Sequence, residues 1–210
     1  MTLTKICGLS TPATIDAALK GGATHVGLVF YPPSPRNLSY DAAAGLASRV
    51  PGHVGKVGVF VDPDDETLQR AIDAAALDAV QVHSTTSTRV AAIRARFACE
   101  TWAAVAIKTR ADLDGARAYG GAADRILYDA KTPPGAALPG GMGVRFDWTL
   151  LAGFRHPAPW ALSGGLDATN VAEAIARTGA PLVDVSSGVE SAPGVKDVDK
   201  IAAFLRAAGI

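Results

Sequence analysis

The feature that most constrains this chain is an alternation repeated eight times: a short run of β-branched and apolar residues, then a stretch of helical spacing that is usually rich in alanine. Runs that are apolar on both faces suit strands covered on both sides, and parallel strands need crossover connections long enough to hold a helix. The strand-like runs fall at 3–7, 25–30, 55–61, 79–83, 102–107, 125–128, 160–163 and 182–187. The first helical stretch opens at Thr11-Pro12, an N-cap followed by proline at the first helical position, and closes at Gly21-Gly22. The others span 40–49, 64–76, 86–98, 110–119, 147–153, 167–178 and 196–208. Eight βα units in 210 residues predict one α/β domain over residues 1–210, a (βα)8 TIM barrel with a closed eight-stranded parallel sheet. Alternation alone also fits an open, doubly wound sheet, so the loops must decide.

They favour the barrel. The longest irregular segments, 31–38 and 130–144, follow the second and sixth strands, where a barrel builds its catalytic face. After the seventh strand comes LSGGL at 162–166, and after the eighth VSSGVE at 185–190. Gly164 and Gly165 admit close backbone approach, and Ser187, Gly188 and Val189 are placed to begin a short extra helix with unpaired amide groups. Loops after strands seven and eight are the usual phosphate site of barrel enzymes, although each alone also reads as a set of turn glycines.

Charge agrees with a local anion site. Twenty basic residues balance twenty acidic ones, which gives no general attraction to nucleic acid or anionic lipid. A small phosphorylated molecule is the expected partner, with no nucleic acid and no membrane. No apolar run approaches the roughly 20 residues of a membrane helix. The opening MTLTKICGL reaches a strand without a basic segment or an apolar signal core, so a cytoplasmic protein is expected. Cys7 and Cys99 make no metal-type spacing with each other or with His25, His53, His83 and His156, and no metal is expected. The acidic run Asp62, Asp64, Asp65 and Glu66 reads as a helix start.

Taken in order, KICGL at 5–9, GLVF at 27–30, SPR at 34–36, VGVF at 57–60, QVH at 81–83, LYD at 127–129, GGMG at 140–143, FDW at 146–148, LSGGL, VDVSSGVE and PGVKD at 193–197 resemble the phosphoribosylanthranilate isomerase family over nearly the whole chain. Two positions depart from the family pattern: Ser84 follows His83 where glycine is usual, and Met142 replaces a Thr or Ser. The resemblance implies a cofactor-free Amadori rearrangement of an aldose amine to a ketose amine. It implies Cys7 as general base, Asp129 as general acid and Arg36 as the guanidinium that receives the anthranilate carboxylate. Gly141 and Gly143 join Gly164, Gly165, Ser187 and Gly188 as substrate contacts. It leaves a monomer or a homodimer open.

The chemistry makes demands on two of these residues. Opening the furanose ring requires a proton on its oxygen, and the iminium so formed acidifies the neighbouring carbon for removal of its proton. A free Asp is ionised at neutral pH and a free Cys is mostly thiol, so Asp129 is expected to be shifted upward and Cys7 downward. Lys5 is near Cys7 in sequence, with its orientation open. Taken alone, Cys7 is a small buried filler, Asp129 a turn residue and His83 either a rim residue or a substrate contact without a catalytic role. Two rivals remain: the imidazole-pathway phosphoribosyl isomerase, which works with a carboxylate pair where this chain has Cys7, and a silent barrel that only binds a sugar phosphate.

Overall fold

The computed structural model describes residues 2–132 and 143–209. Gly141, Met142 and most of the loop after the sixth strand lie outside the described residues. Eight parallel strands close on themselves: β1 Leu3–Cys7, β2 His25–Val29, β3 Gly55–Val61, β4 Ala79–His83, β5 Glu100–Ile107, β6 Arg125–Ala130, β7 Trp160–Leu162 and β8 Leu182–Val185. Closure is made by β1 pairing with β8 in parallel, Leu3 opposite Leu182 and Ile6 opposite Val185.

The period of two along each strand divides the molecule into two cores. Outward residues such as Ile6, Val26, Leu28, Phe60, Val80, Ile126, Tyr128 and Val183 pack against the surrounding helices. Val57, Ala79, Trp102, Leu127, Ala161 and Leu182 form a separate interior layer. Fully buried Trp102 fills this layer, its indole N–H donating to Glu100 Oε2 at 2.7 Å and the Arg125 guanidinium lying 4.9 Å from its ring centre. One step of two residues further along the strands, the same face turns polar: Ala79 gives way to Gln81, Leu127 to Asp129, Ala161 to Ser163 and Leu182 to Asp184. An apolar plug below and polar groups above define a floored pocket at the carboxyl ends of the strands.

The helices are α1 Pro12–Lys20, α2 Tyr40–Ala47, α3 Asp65–Ala75, α4 Ser87–Arg96, α5 Arg110–Gly115, α6 Val171–Thr178 and α7 Val198–Ala207. All but α6 are capped at the start by a side chain. The Thr11 hydroxyl accepts from Thr14 N, and Asp64 Oδ1 accepts from Thr67 N at 2.8 Å.

Three expectations are corrected. The stretch at 147–153 is a single 3-10 turn at Trp148–Leu151, too short to cover a strand as a helix does. The seventh loop does not run directly into a helix: Asp167 lies in a turn, bonding Thr169 N and Oγ1, and α6 begins only at Val171. The segment after β8 holds an unexpected antiparallel hairpin, β9 Glu190–Ala192 with β10 Val195–Lys196. Its turn is Pro193-Gly194, with Gly194 at φ +81°. Ser84, at the position where the family carries glycine, sits in the left-handed region at φ 54°, a conformation that costs a non-glycine residue about 1 kcal/mol or more.

Candidate active site

The pocket above the plug encloses about 840 Å³ of open space, and Cys7, Arg36, Asp129, Gly143, Gly164, Gly165 and Ser187 all line it. Seven of the nearby positions singled out from sequence are thus brought together. Gly188 stands directly behind them: a Cβ there would lie 1.9 Å from Leu166 O, so the seventh and eighth loops touch and only glycine permits it. The short extra helix is one 3-10 turn, Ser187–Val189. Gly164 is held at φ +88°, and a Cβ on it would meet Ala130 N at 2.6 Å and Asp129 Oδ1 at 3.1 Å. The seventh loop therefore passes close over Asp129 and shields it.

Asp129 is the penultimate residue of β6 and is 7% exposed. Ala130 N donates to its Oδ1 at 2.9 Å. Its pKa is pushed up to about 7, first by burial and then by the like charge of Asp184, which outweigh the hydrogen bonds it accepts and the more distant Lys5. This is the upward shift expected.

Cys7 departs from expectation. Burial is the largest influence on its thiol and pushes the pKa up, and Asp184 pushes the same way. The cations Lys5 and Lys196 oppose this without overcoming it. The predicted downward shift assumed a cation acting alone, whereas Lys5 is shared. Its ammonium is fully buried and bonds Asp184 Oδ1 at 3.0 Å, so part of its field is cancelled before it reaches the sulfur. Lys5 stands two residues before Cys7 on the same face of β1, and its charge favours the thiolate. Although burial opposes a charged ammonium, the Asp184 and Cys7 contacts carry the Lys5 pKa above its usual value.

Asp184 and Ser163 complete a polar floor. The Ser163 hydroxyl stands 3.5 Å from Asp184 Oδ2. Cys7, Asp184, Ser163 and Asp129 line the same pocket, on β1, β8, just past the end of β7 and on β6. Sequence reasoning missed Asp184 and Ser163. The signal was present in LVDV, a lone carboxylate in an apolar strand in step with Leu182, which faces the interior.

Arg36 is also more constrained than its sequence position suggested. Its Nε and Nη2 donate to the two carboxylate oxygens of Glu190 at 2.7 and 2.8 Å, and both side chains are buried. His83 lines the pocket and bonds Gln81 through its Nε2 at 3.0 Å; burial lowers its pKa to about 4, so it is a neutral imidazole at physiological pH. It is both a hydrogen-bonded rim residue and a pocket residue. Among the described residues, no three His, Cys, Asp or Glu side chains are grouped to hold a metal ion, and no helix is long and apolar enough to cross a membrane.

The family model described as N-(5'phosphoribosyl)anthranilate (PRA) isomerase matches residues 4–207. The chain belongs to this family. A relative named N-(5'-phosphoribosyl)anthranilate isomerase from Zymomonas mobilis subsp. pomaceae is 55% identical over 206 residues, which are 97% of this chain and 96% of that protein. The crystal structure of phosphoribosyl anthranilate isomerase from Thermotoga maritima superposes with a TM-score of 0.89 at 35% identity, covering 100% of this chain and 99% of that one. A crystal structure of the isomerase in complex with reduced 1-(o-carboxyphenylamino)-1-deoxyribulose 5-phosphate superposes with a TM-score of 0.87 at 33% identity, with the same coverage.

Proposed function

We propose that this isomerase, acting in tryptophan biosynthesis, converts N-(5'-phosphoribosyl)anthranilate to 1-(o-carboxyphenylamino)-1-deoxyribulose 5-phosphate with Asp129 as general acid and Cys7 as general base. The observation that carries the assignment of roles is the shared pocket: two buried proton-bearing groups stand on strands separated by β7 and β8, with the glycine loops beside one and Arg36 beside the other. The phosphate is received at Gly143, Gly164, Gly165, Ser187 and Gly188 by backbone amides, and Arg36 receives the anthranilate carboxylate at the other end. Gly141 is a further contact on the part of the loop outside the described residues.

Asp129 carries its proton near neutral pH because burial and Asp184 disfavour its anion, so it can protonate the ring oxygen as the nitrogen lone pair forms the iminium. That step leaves a cation beside Cys7. A positive charge close to a buried thiol favours the thiolate, and Lys5 already acts in that direction. The base is therefore called up by the intermediate it acts on: the resting thiol is held neutral by burial, the charge supplied by ring opening lowers its pKa, and the proton it gives up passes to water, leaving the thiolate to accept the C2 proton. Removal of the C2 proton gives the enolamine, which ketonises to the product. The acidity conferred by the iminium makes an added electron sink unnecessary, in line with a reaction that uses no cofactor.

The test is to generate the unstable substrate in place and follow loss of its fluorescence on adding the purified protein. Rapid loss with formation of the ketose amine is expected; no turnover overturns the reading.

A further inference from the structure

Glu190 is a buried carboxylate with no part in the proton transfers, yet it makes the densest set of polar contacts near the pocket. Its Oε1 accepts from Arg36 Nε at 2.7 Å and from Lys196 Nζ at 2.6 Å, and its Oε2 from Arg36 Nη2 at 2.8 Å and Gly194 N at 3.3 Å. Burial alone would raise its pKa, but the hydrogen bonds and charges of Arg36 and Lys196 bring it below the usual carboxylate value. Lys196, whose side chain is fully buried, also donates to Ser186 O at 2.9 Å and Ser186 Oγ at 3.1 Å, immediately before the 3-10 turn of the eighth loop. The Arg36 stem packs against the other side: a Cβ on Gly8 would lie 2.7 Å from its Cδ.

We infer that Glu190 is a positioning residue that fixes the plane of the Arg36 guanidinium and, through Lys196, fastens it to the loop after β8. An arginine side chain carries roughly 2 kcal/mol of rotamer entropy, and a bidentate carboxylate partner holds its fork in one plane before the ligand arrives. Glu190 sits on the β9–β10 hairpin, so that hairpin is the brace by which the eighth loop and the loop after β2 keep a fixed spacing. This inference rests on the proposed role of Arg36 in receiving a carboxylate.

The experiment measures kcat and KM for the in-place substrate with the wild-type chain, Glu190→Gln, Arg36→Met and the double variant, each checked for folding by circular dichroism. Glu190→Gln is expected to raise KM about tenfold or more while kcat changes by less than about threefold, because orientation of a binding group is lost and not a proton transfer. The double variant is expected to have a KM within about twofold of Arg36→Met alone, since a positioning residue has nothing left to position. A wild-type KM in folded Glu190→Gln, or losses that multiply in the double variant, overturns the inference. If Glu190→Gln does not fold, Glu190→Asp, which keeps the charge and shortens the reach, takes its place: a raised KM supports the brace and a wild-type KM overturns it. Wild-type protein without turnover would instead overturn the functional reading, and an unchanged KM in Arg36→Met the role of the arginine.

Discussion

Cys7 at the end of β1 and Asp129 near the end of β6 are buried almost equally, 6% and 7% exposed, yet their neighbours differ in sign. Burial moves both toward their neutral forms, the thiol and the carboxylic acid. Around Cys7 stand two cations, Lys5 and Lys196, which soften that push. Beside Asp129 stands Asp184, whose like charge strengthens it. The difference teaches how one pocket can hold two proton-bearing groups in different electrostatic settings: desolvation is common to both, and the local charges set how strongly each is held in its neutral form. Asp184 takes part on both sides, as the partner of Lys5 and as the like charge next to Asp129.

The largest effect expected is on turnover. Cys7→Ala and Asp129→Asn should each lose at least about two orders of magnitude in kcat while remaining folded, since a positioned acid or base contributes about 10²- to 10⁴-fold. Near-wild-type kcat in either variant would break the comparison on that side. Next in size is the shared pair. Lys5→Met strands Asp184 as a buried carboxylate without its cation, at a cost of about 3–5 kcal/mol in stability. Adding Asp184→Asn should restore much of the stability but not the turnover, because the thiolate still lacks its cation. Recovery of both by the double variant would show that Lys5 serves only the fold. Denaturant unfolding and steady-state kinetics on the same samples separate the outcomes.

A smaller effect lies in stability against pH. The carboxyl of Asp129 has an ordinary pKa of 3.8 and about 7 in the fold. Between these values the native chain holds a proton that the unfolded chain releases, so stability falls as pH rises through this window and stays reduced above it. Asp129→Asn removes that loss while its amide oxygen can still accept from Ala130 N. Its melting temperature should exceed that of the wild type by about 5 °C at pH 8, with the difference nearly gone at pH 4. An equal difference at both values would place the cause in packing and not in the charge.

Much of this was legible in the sequence, for a definite physical reason. Strand identity follows from short apolar runs, and the barrel and its phosphate loops from loop and glycine placement, both local properties, whereas Cys7, Asp129 and Arg36 were picked out by the family resemblance. The Pro193-Gly194 pair, suited to a type II turn, could have revealed the hairpin that carries Glu190. What could not be read was which charge meets which. Lys5 was visible beside Cys7, but neither the burial of the thiol nor the pairing of Lys5 with Asp184 across 179 residues was, and burial first, with Asp184 second, turns the expected downward shift of the thiol into an upward one. Likewise, Arg36 announced a carboxylate partner without announcing that Glu190 would hold one face of it.

The claim that burial and Asp184 keep the general acid protonated at the resting site is tested most directly by titrating Asp129 itself. The infrared difference spectrum between the wild type and Asp129→Asn isolates its carboxyl stretch across pH 3 to 9. A midpoint of about 7 is expected. A midpoint in the ordinary carboxylate range, near 3.9, would contradict it.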